Sequence, residues 1–221
     1  MRGQTRGVSP HPTGSTFTVL LVCTGNICRS ALAERLGRAY LEEHLGSDAA
    51  DLRLVSAGTR AVTGSGMHRD SALVLAGYGA EPGDFRARQL DGRIASSADL
   101  VLTMTRAHRT DVLERAPGAL QRTFTLPEAV ALLTEVVDEP TGSDFPDRAR
   151  RLVTAMAAAR GRRHGGADDD VRDPIRQPVE VHEEVGGLIA ATLIPVLDRL
   201  VRLHPRDPAG SESGSGERRG G

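Results

Sequence analysis

The chain has no lysine; all 28 of its basic residues are arginine, which marks arginine-rich codon usage and assigns no function. It has only two cysteines, Cys23 and Cys28, in 221 residues. That is too few for a disulfide scaffold, so a reducing, cytoplasmic setting is the expectation. No apolar run approaches the roughly 18 residues that a membrane span needs. The opening MRGQTRGVSPHPTGST has no apolar stretch, which excludes a secretory signal. The formal charge is −1, so no global field favours nucleic acid or a membrane surface. No internal repeat is visible. What remains is a chain of 39% hydrophobic residues, enough for the core of one domain with tails. The expected boundaries are a disordered leader over 1–15, a domain over 16–203 with a flexible insert at about 161–170, and a disordered tail over 204–221.

Strand and helix patterns alternate along the domain. FTVLLV (Phe17 to Val22) is a short apolar run that reads as a buried parallel strand. From Arg29 to Leu45, the residues Ala31, Leu32, Leu36, Ala39, Tyr40 and Leu45 share one helical face. LRLVSAGT is a second strand, and His68 to Tyr78 a helix ended by Gly77 and Gly79. ADLVLTM (Ala98 to Met104) is a third strand, then a polar helix runs to about Ala116, and QRTFTL is a fourth strand. The segment from Glu128 to Arg163 reads as helices interrupted near Pro140 to Pro146. A long helix follows from Pro178, in its first turn, to about Leu203. Its stripe is Val181, Val185, Leu188, Ile189, Leu193, Val196 and Leu200, and Pro195 is expected to kink it. This alternation predicts an α/β fold on a parallel sheet.

Both cysteines lie in VCTGNICRSALAE, between the first strand and the first helix. A loop that enters a helix N-terminus offers unpaired N–H groups and the positive end of the helix dipole, and so binds anions. Gly25 and Asn26 tolerate the left-handed conformations that turn such a loop inward. The field that binds phosphate also favours the thiolate of Cys23. Arg29, six positions on, presents a planar fork to two phosphate oxygens. Ser30 can donate its hydroxyl to the sulfur. The competing reading for a free cysteine is a small buried hydrophobe. Against it, a chance C-x5-R-S match in this composition has a probability of roughly 1.5%. A metal site lacks further ligands, since no histidine is close in sequence to either cysteine.

VCTGNICRSALAE closely resembles the active-site signature of the low-molecular-weight protein-tyrosine phosphatases. SAGT (Ser56 to Thr59), ARQL (Ala87 to Leu90), ADLVLTM and DPIRQPVEVHEEV are also similar to that family, in the same order, over about residues 17 to 203. The resemblance implies a three-layer, doubly wound sheet of four parallel strands with the phosphate-binding loop after strand 1. It implies a cofactor-independent and metal-independent phosphatase acting on tyrosine-phosphorylated protein through a cysteinyl-phosphate intermediate. Thr24, Gly25, Asn26, Ile27, Cys28 and Ser30 would form or support the phosphate cradle around Cys23 and Arg29. No signal of oligomeric state is present.

Such a route needs an acid for the leaving oxygen and a base for water. The acidic pool is Asp168, Asp169, Asp170 and Asp173, with Asp138 of DEP as a rival. The resemblance, through the following Pro174, selects Asp173, with Asp170 second. Proline also fixes the backbone beside that carboxyl.

Four positions depart from the family pattern. Ile175 and Arg176 stand where tyrosines often wall the pocket, Phe85 replaces a histidine before ARQ, and Thr105 replaces an acidic residue. The last two changes are expected to soften the positioning of Asn26 and Arg29. Relatives acting on phosphoarginine carry a threonine where this chain has Ile27, so Ile27 favours an aryl phosphate. Cys28 is open to two roles, a reversible disulfide that guards Cys23 from over-oxidation or a packing residue. Two alternatives stand beside the main reading: an arsenate reductase dependent on an external thiol, and a phosphate-binding module without turnover.

Overall fold

The structure is a computed structural model that describes residues 16–162 and 169–205. The leader over 1–15, residues 163–168 of the expected insert, Asp168 among them, and the tail from 206 onward lie outside the described residues.

Strand β1 (Phe17–Cys23) is buried at every position except Thr18, as a strand covered on both faces must be. It leads through a loop into α1 (Arg29–Leu45), then β2 (Leu52–Gly58), α2 (Arg69–Gly77), α3 (Gly92–Ser97), β3 (Leu100–Thr103) and α4 (Arg106–Arg115). β4 (Thr123–Thr125), α5 (Leu126–Leu133), α6 (Phe145–Ala159) and α7 (Val179–Arg202) complete the order. The sheet order is β2-β1-β3-β4 and every pair is parallel, with Val19 opposite both Leu54 and Leu100.

Alternation along β1 sorts its side chains into two cores. Val19 and Leu21 join the larger one, with Leu32 of α1, Leu132 of α5, Leu152 of α6 and Ile189 of α7. Leu20 and Val22 face the other way, onto Ala95 of α3 and Val112 of α4. Helices therefore cover both faces, and the fold is the three-layer α/β arrangement expected. Because β2 and β3 flank β1 on opposite sides, the strand order reverses at β1. In open sheets, ligands bind at the carboxyl edge of that point.

The structure corrects several local expectations. α3 is unannounced in the sequence: six residues carry too little periodicity, and Asp91 sets its start by accepting from the Ile94 amide at 2.7 Å. β4 is only three residues, because a capping box between Thr125 and Glu128 starts α5 immediately after it. Pro178 sits at the N-cap of α7 rather than inside its first turn, and Pro195 lies within the single 24-residue helix. Leu188 is exposed, whereas His182 occupies the buried stripe of α7.

Candidate active site

Cys23 ends β1 and Arg29 begins α1, so the loop between them spans the carboxyl edge of the central strand. Its carbonyls are turned outward and fastened. The Cys23, Thr24 and Gly25 carbonyls accept from the Thr59, Arg60 and Val62 amides at 2.9, 3.0 and 3.0 Å, and the Ile27 carbonyl from His68 at 2.8 Å. Planar peptides place each N–H opposite its carbonyl, so the loop amides face the enclosed space. The β2 end must approach closely for this. A Cβ on Gly58 would lie 2.4 Å from the Thr24 carbonyl oxygen. Of the two residues able to take left-handed backbone, Asn26 carries the turn, at φ 54°, and Gly25 does not.

Asn26 is the hub of the loop. Its side-chain amide donates to Ser30 Oγ at 2.9 Å and Ser56 Oγ at 2.8 Å, and its oxygen accepts from the Arg88 amide at 2.8 Å. The Ser56 hydroxyl donates to buried Glu34 at 2.6 Å, and Glu34 pairs with Arg38 at 2.8 Å. Ser30, which accepts from Asn26, is also hydrogen-bonded to Cys23 Sγ at 2.9 Å. The Asn26 amide donates to the same sulfur at 3.3 Å. With Phe85 and Thr105 in place of the family's usual residues, Asn26 thus makes three side-chain hydrogen bonds. Phe85 instead packs with Ala31, Ala87 and Ile27 behind the loop.

Arg29 is buried, with Nη1 donating to the Val171 carbonyl at 3.0 Å and Nη2 lying 2.6 Å from Asp173 Oδ2. Its Nε is buried and has no partner among the described residues. The loop carrying Asp173 is anchored through Val171, whose amide donates to the Met104 carbonyl at 2.7 Å. Past Pro174 it turns tightly. Ile175 donates to Asp173 Oδ1 at 3.2 Å, Gln177 to the Pro174 carbonyl at 2.9 Å, and Arg176 takes φ 60°. Asp170 is engaged elsewhere, accepting from the Arg106 amide at 2.8 Å. Asp138 lines neither of the cavities at the loop.

Those cavities form one cleft. The inner part, about 220 Å³, is lined by Cys23, Gly25, Ile27, Val62 and Ile175, with Arg29 and Asp173 at its polar side. The adjoining part, about 390 Å³, runs along Thr59, Thr105, His108 and Asp170. A larger hollow near Arg38 and Leu52 contains no nucleophile. Ile27, Val62 and Ile175 give the inner cleft an aliphatic wall in place of an aromatic one.

Sequence reasoning missed His108. Its ring bonds Thr24 Oγ1 and Thr105 Oγ1, each at 2.8 Å, and Thr24 Oγ1 also accepts from Arg29 Nη2 at 3.4 Å. Burial, then the charge of Arg29, pushes this imidazole down to about 4, so it is neutral near pH 7. The neutral ring donates to one of these two hydroxyls and accepts from the other. Thr105 replaces an acid with a neutral support. Both cysteines are free thiols. Burial pushes the Cys28 thiol up to about 11, partly offset by a hydrogen bond from Ser71.

A family model described as low molecular weight phosphotyrosine protein phosphatase matches residues 18–145. The chain belongs to the low molecular weight phosphotyrosine protein phosphatase family. A relative named probable low molecular weight protein-tyrosine-phosphatase EpsP, from Ralstonia nicotianae, is 35% identical over 142 residues, 64% of this chain and 85% of that one. A protein-arginine-phosphatase of Geobacillus stearothermophilus is 30% identical over 166 residues, 75% of this chain and 84% of that one. Among solved structures, the low molecular weight protein tyrosine phosphatase of T. tengcongensis superposes with TM-score 0.59 at 27% identity, covering 85% of this chain and 99% of that one. The family match ends before the loop of Asp173, so in this phosphatase the place of that carboxyl rests on geometry: it lies against Arg29 at the mouth of the cradle.

Proposed function

We propose that the protein is a protein-tyrosine phosphatase that hydrolyses phosphotyrosine through a phosphocysteine at Cys23. The observation that carries this is the sulfur of Cys23 at the floor of an inward-facing amide loop, with Arg29 and Asp173 closing its rim. A substrate dianion takes over the Arg29 fork, including the unpartnered Nε, and displaces Asp173. The Cys23 thiolate attacks phosphorus: the S–P bond forms and the P–O bond to the tyrosyl oxygen breaks. Asp173, carrying a proton, delivers it to that oxygen. Loop amides and Arg29 hold the charge spread over the equatorial oxygens. Asp173 then takes a proton from water as the water attacks phosphorus, and the S–P bond breaks with Ser30 donating to the departing sulfur.

Ile27 and Ile175 line the opening with apolar surface that suits an aryl ring. No helix among the described residues is long and apolar enough to cross a membrane. The two free thiols fit a reducing cytoplasm, and Cys28, in the same loop as Cys23, fits a redox-sensitive enzyme whose oxidised nucleophile is captured as a disulfide.

The test assays purified protein on phosphotyrosine, on phosphoarginine, and on arsenate with thiol reductants, beside Cys23→Ser and Asp173→Ala. Turnover of phosphotyrosine that is lost in Cys23→Ser is expected. Arsenate reduction without aryl phosphatase activity, or binding of phosphate with no turnover of any substrate, would replace this function by another.

A further inference from the structure

In sequence, no histidine stands near Cys28; the fold supplies two. His68, at the N-cap of α2, and His182, in the first turns of α7, meet Cys28 behind the phosphate loop. One ligating atom from each of the three lies within 4.8 Å of the others. His182 is buried. Its Nδ1 is hydrogen-bonded to Ser71 Oγ at 3.0 Å and its ring stacks on that of His68 at 4.9 Å, while its Nε2 makes no hydrogen bond of ordinary geometry among the described residues, the Pro174 carbonyl being the nearest backbone acceptor to the ring. A buried imidazole nitrogen without a well-formed hydrogen bond is costly, which marks this side of the ring as open to a ligand. Asp70 Oδ2 stands 3.9 Å from His68 Nδ1 and 4.0 Å from His182 Nε2. α7 reaches α2 this closely because Gly186 has no side chain to strike Val74.

We propose that Cys28, His68 and His182 form a binding site for a zinc-like divalent cation, with the Asp70 carboxylate beside the two imidazoles. One thiolate and two imidazoles are a donor set that suits zinc, and a hydrogen bond fixing the second ring nitrogen, as Ser71 does for His182, is the usual companion of a ligating histidine. Tetrahedral bonds of about 2.0 Å to nitrogen and 2.3 Å to sulfur set ligand atoms about 3.3 to 3.6 Å apart, so the side chains close by about an ångström on binding. His68 is partly exposed and Cys28 lines the inner cleft, which gives an ion two approaches. Binding expels the Cys28 thiol proton to solvent and forms one S–metal and two N–metal bonds; nothing is oxidised or reduced. The ion ties the phosphate loop to the starts of α2 and α7, and it sequesters the thiol beside the nucleophile.

The experiment titrates the full-length Cys23→Ser protein with Co²⁺, then displaces it with Zn²⁺. Removing the Cys23 sulfur leaves Cys28 as the one thiolate, and no turnover is read, so the result is independent of the phosphatase assignment. One equivalent of Co²⁺ with a thiolate-to-cobalt band in the near ultraviolet, displaced by Zn²⁺ with a rise in melting temperature, is expected. Adding Cys28→Ser should abolish that band. Adding His68→Gln, at the partly exposed ligand where folding is least at risk, should weaken affinity at least about tenfold. Absence of the band in folded protein, or equal affinity with Cys28→Ser and His68→Gln present, overturns the proposal.

Discussion

Asp173 Oδ2 lies 2.6 Å from Arg29 Nη2, so the carboxylate and the guanidinium close on each other across the mouth of the phosphate loop. Arg29 cannot hold a substrate dianion and keep that contact unchanged. The pair is therefore a latch that the substrate opens. Asp173→Ala should cut kcat on phenyl phosphate by about 10² to 10⁴. The loss should be smaller on p-nitrophenyl phosphate, whose leaving group needs little protonation. Equal losses on both would make Asp173 a partner of Arg29 and not an acid.

Gly58 is the point where β2 touches the loop, and an added Cβ would meet backbone at 2.4 Å, with no flexible side chain to yield. Gly58→Ala should lower stability by about 1–3 kcal/mol and weaken competitive inhibition by inorganic phosphate. Thermal unfolding and the phosphate Ki measure the two effects. Unchanged phosphate affinity would mean that the loop does not depend on this approach.

His108 binds a proton only near pH 4 in the folded protein, against 6.5 for an ordinary histidine. Its folded value is depressed, so the unfolded chain takes up the proton first. The stability linked to the neutral ring is complete above pH 6.5 and is lost as pH falls toward 4, by on the order of 3 kcal/mol. Unfolding of wild type and His108→Gln across pH 4 to 7 should give a difference that shrinks with acid. Parallel profiles would remove His108 as the cause.

Ile175 stands at the cleft opening and is partly exposed. Ile175→Tyr should restore an aromatic wall and lower KM for phosphotyrosine about threefold to tenfold, as expected for one aromatic contact. A KM unchanged for aryl substrates would show that the ring does not pass this residue.

The sequence carried the chemistry that is local and hid what is distant. Cys23, Asn26, Arg29 and Ser30 fall within one strand-to-helix turn, so their roles can be read from spacing, and Pro174 marks Asp173. The partners that hold them are far along the chain. Ser56 reaches Asn26 across 30 positions, His108 reaches Thr24 across 84, and the Val171 carbonyl reaches Arg29 across 142. Ser56 and Glu34 both sit inside stretches that looked diagnostic, yet their roles emerge only when β2 lies beside β1. The parallel sheet was legible because apolar runs alternate with amphipathic helices. α3 was not, being a single turn and a half set by the Asp91 cap. His182 carries no signal in the stripe of α7, and only the packing of α7 on α2 shows it buried beside Ser71.

The central claim is that Cys23 is the nucleophile. Its most direct test is rapid acid quench of the wild-type protein during turnover of an aryl phosphate, followed by mass spectrometry of a peptide containing residues 23–30. The account predicts one phosphoryl group on Cys23 and none on Cys28 or Ser30. Steady turnover with no phosphoryl group on Cys23, or turnover that survives Cys23→Ser, would contradict it.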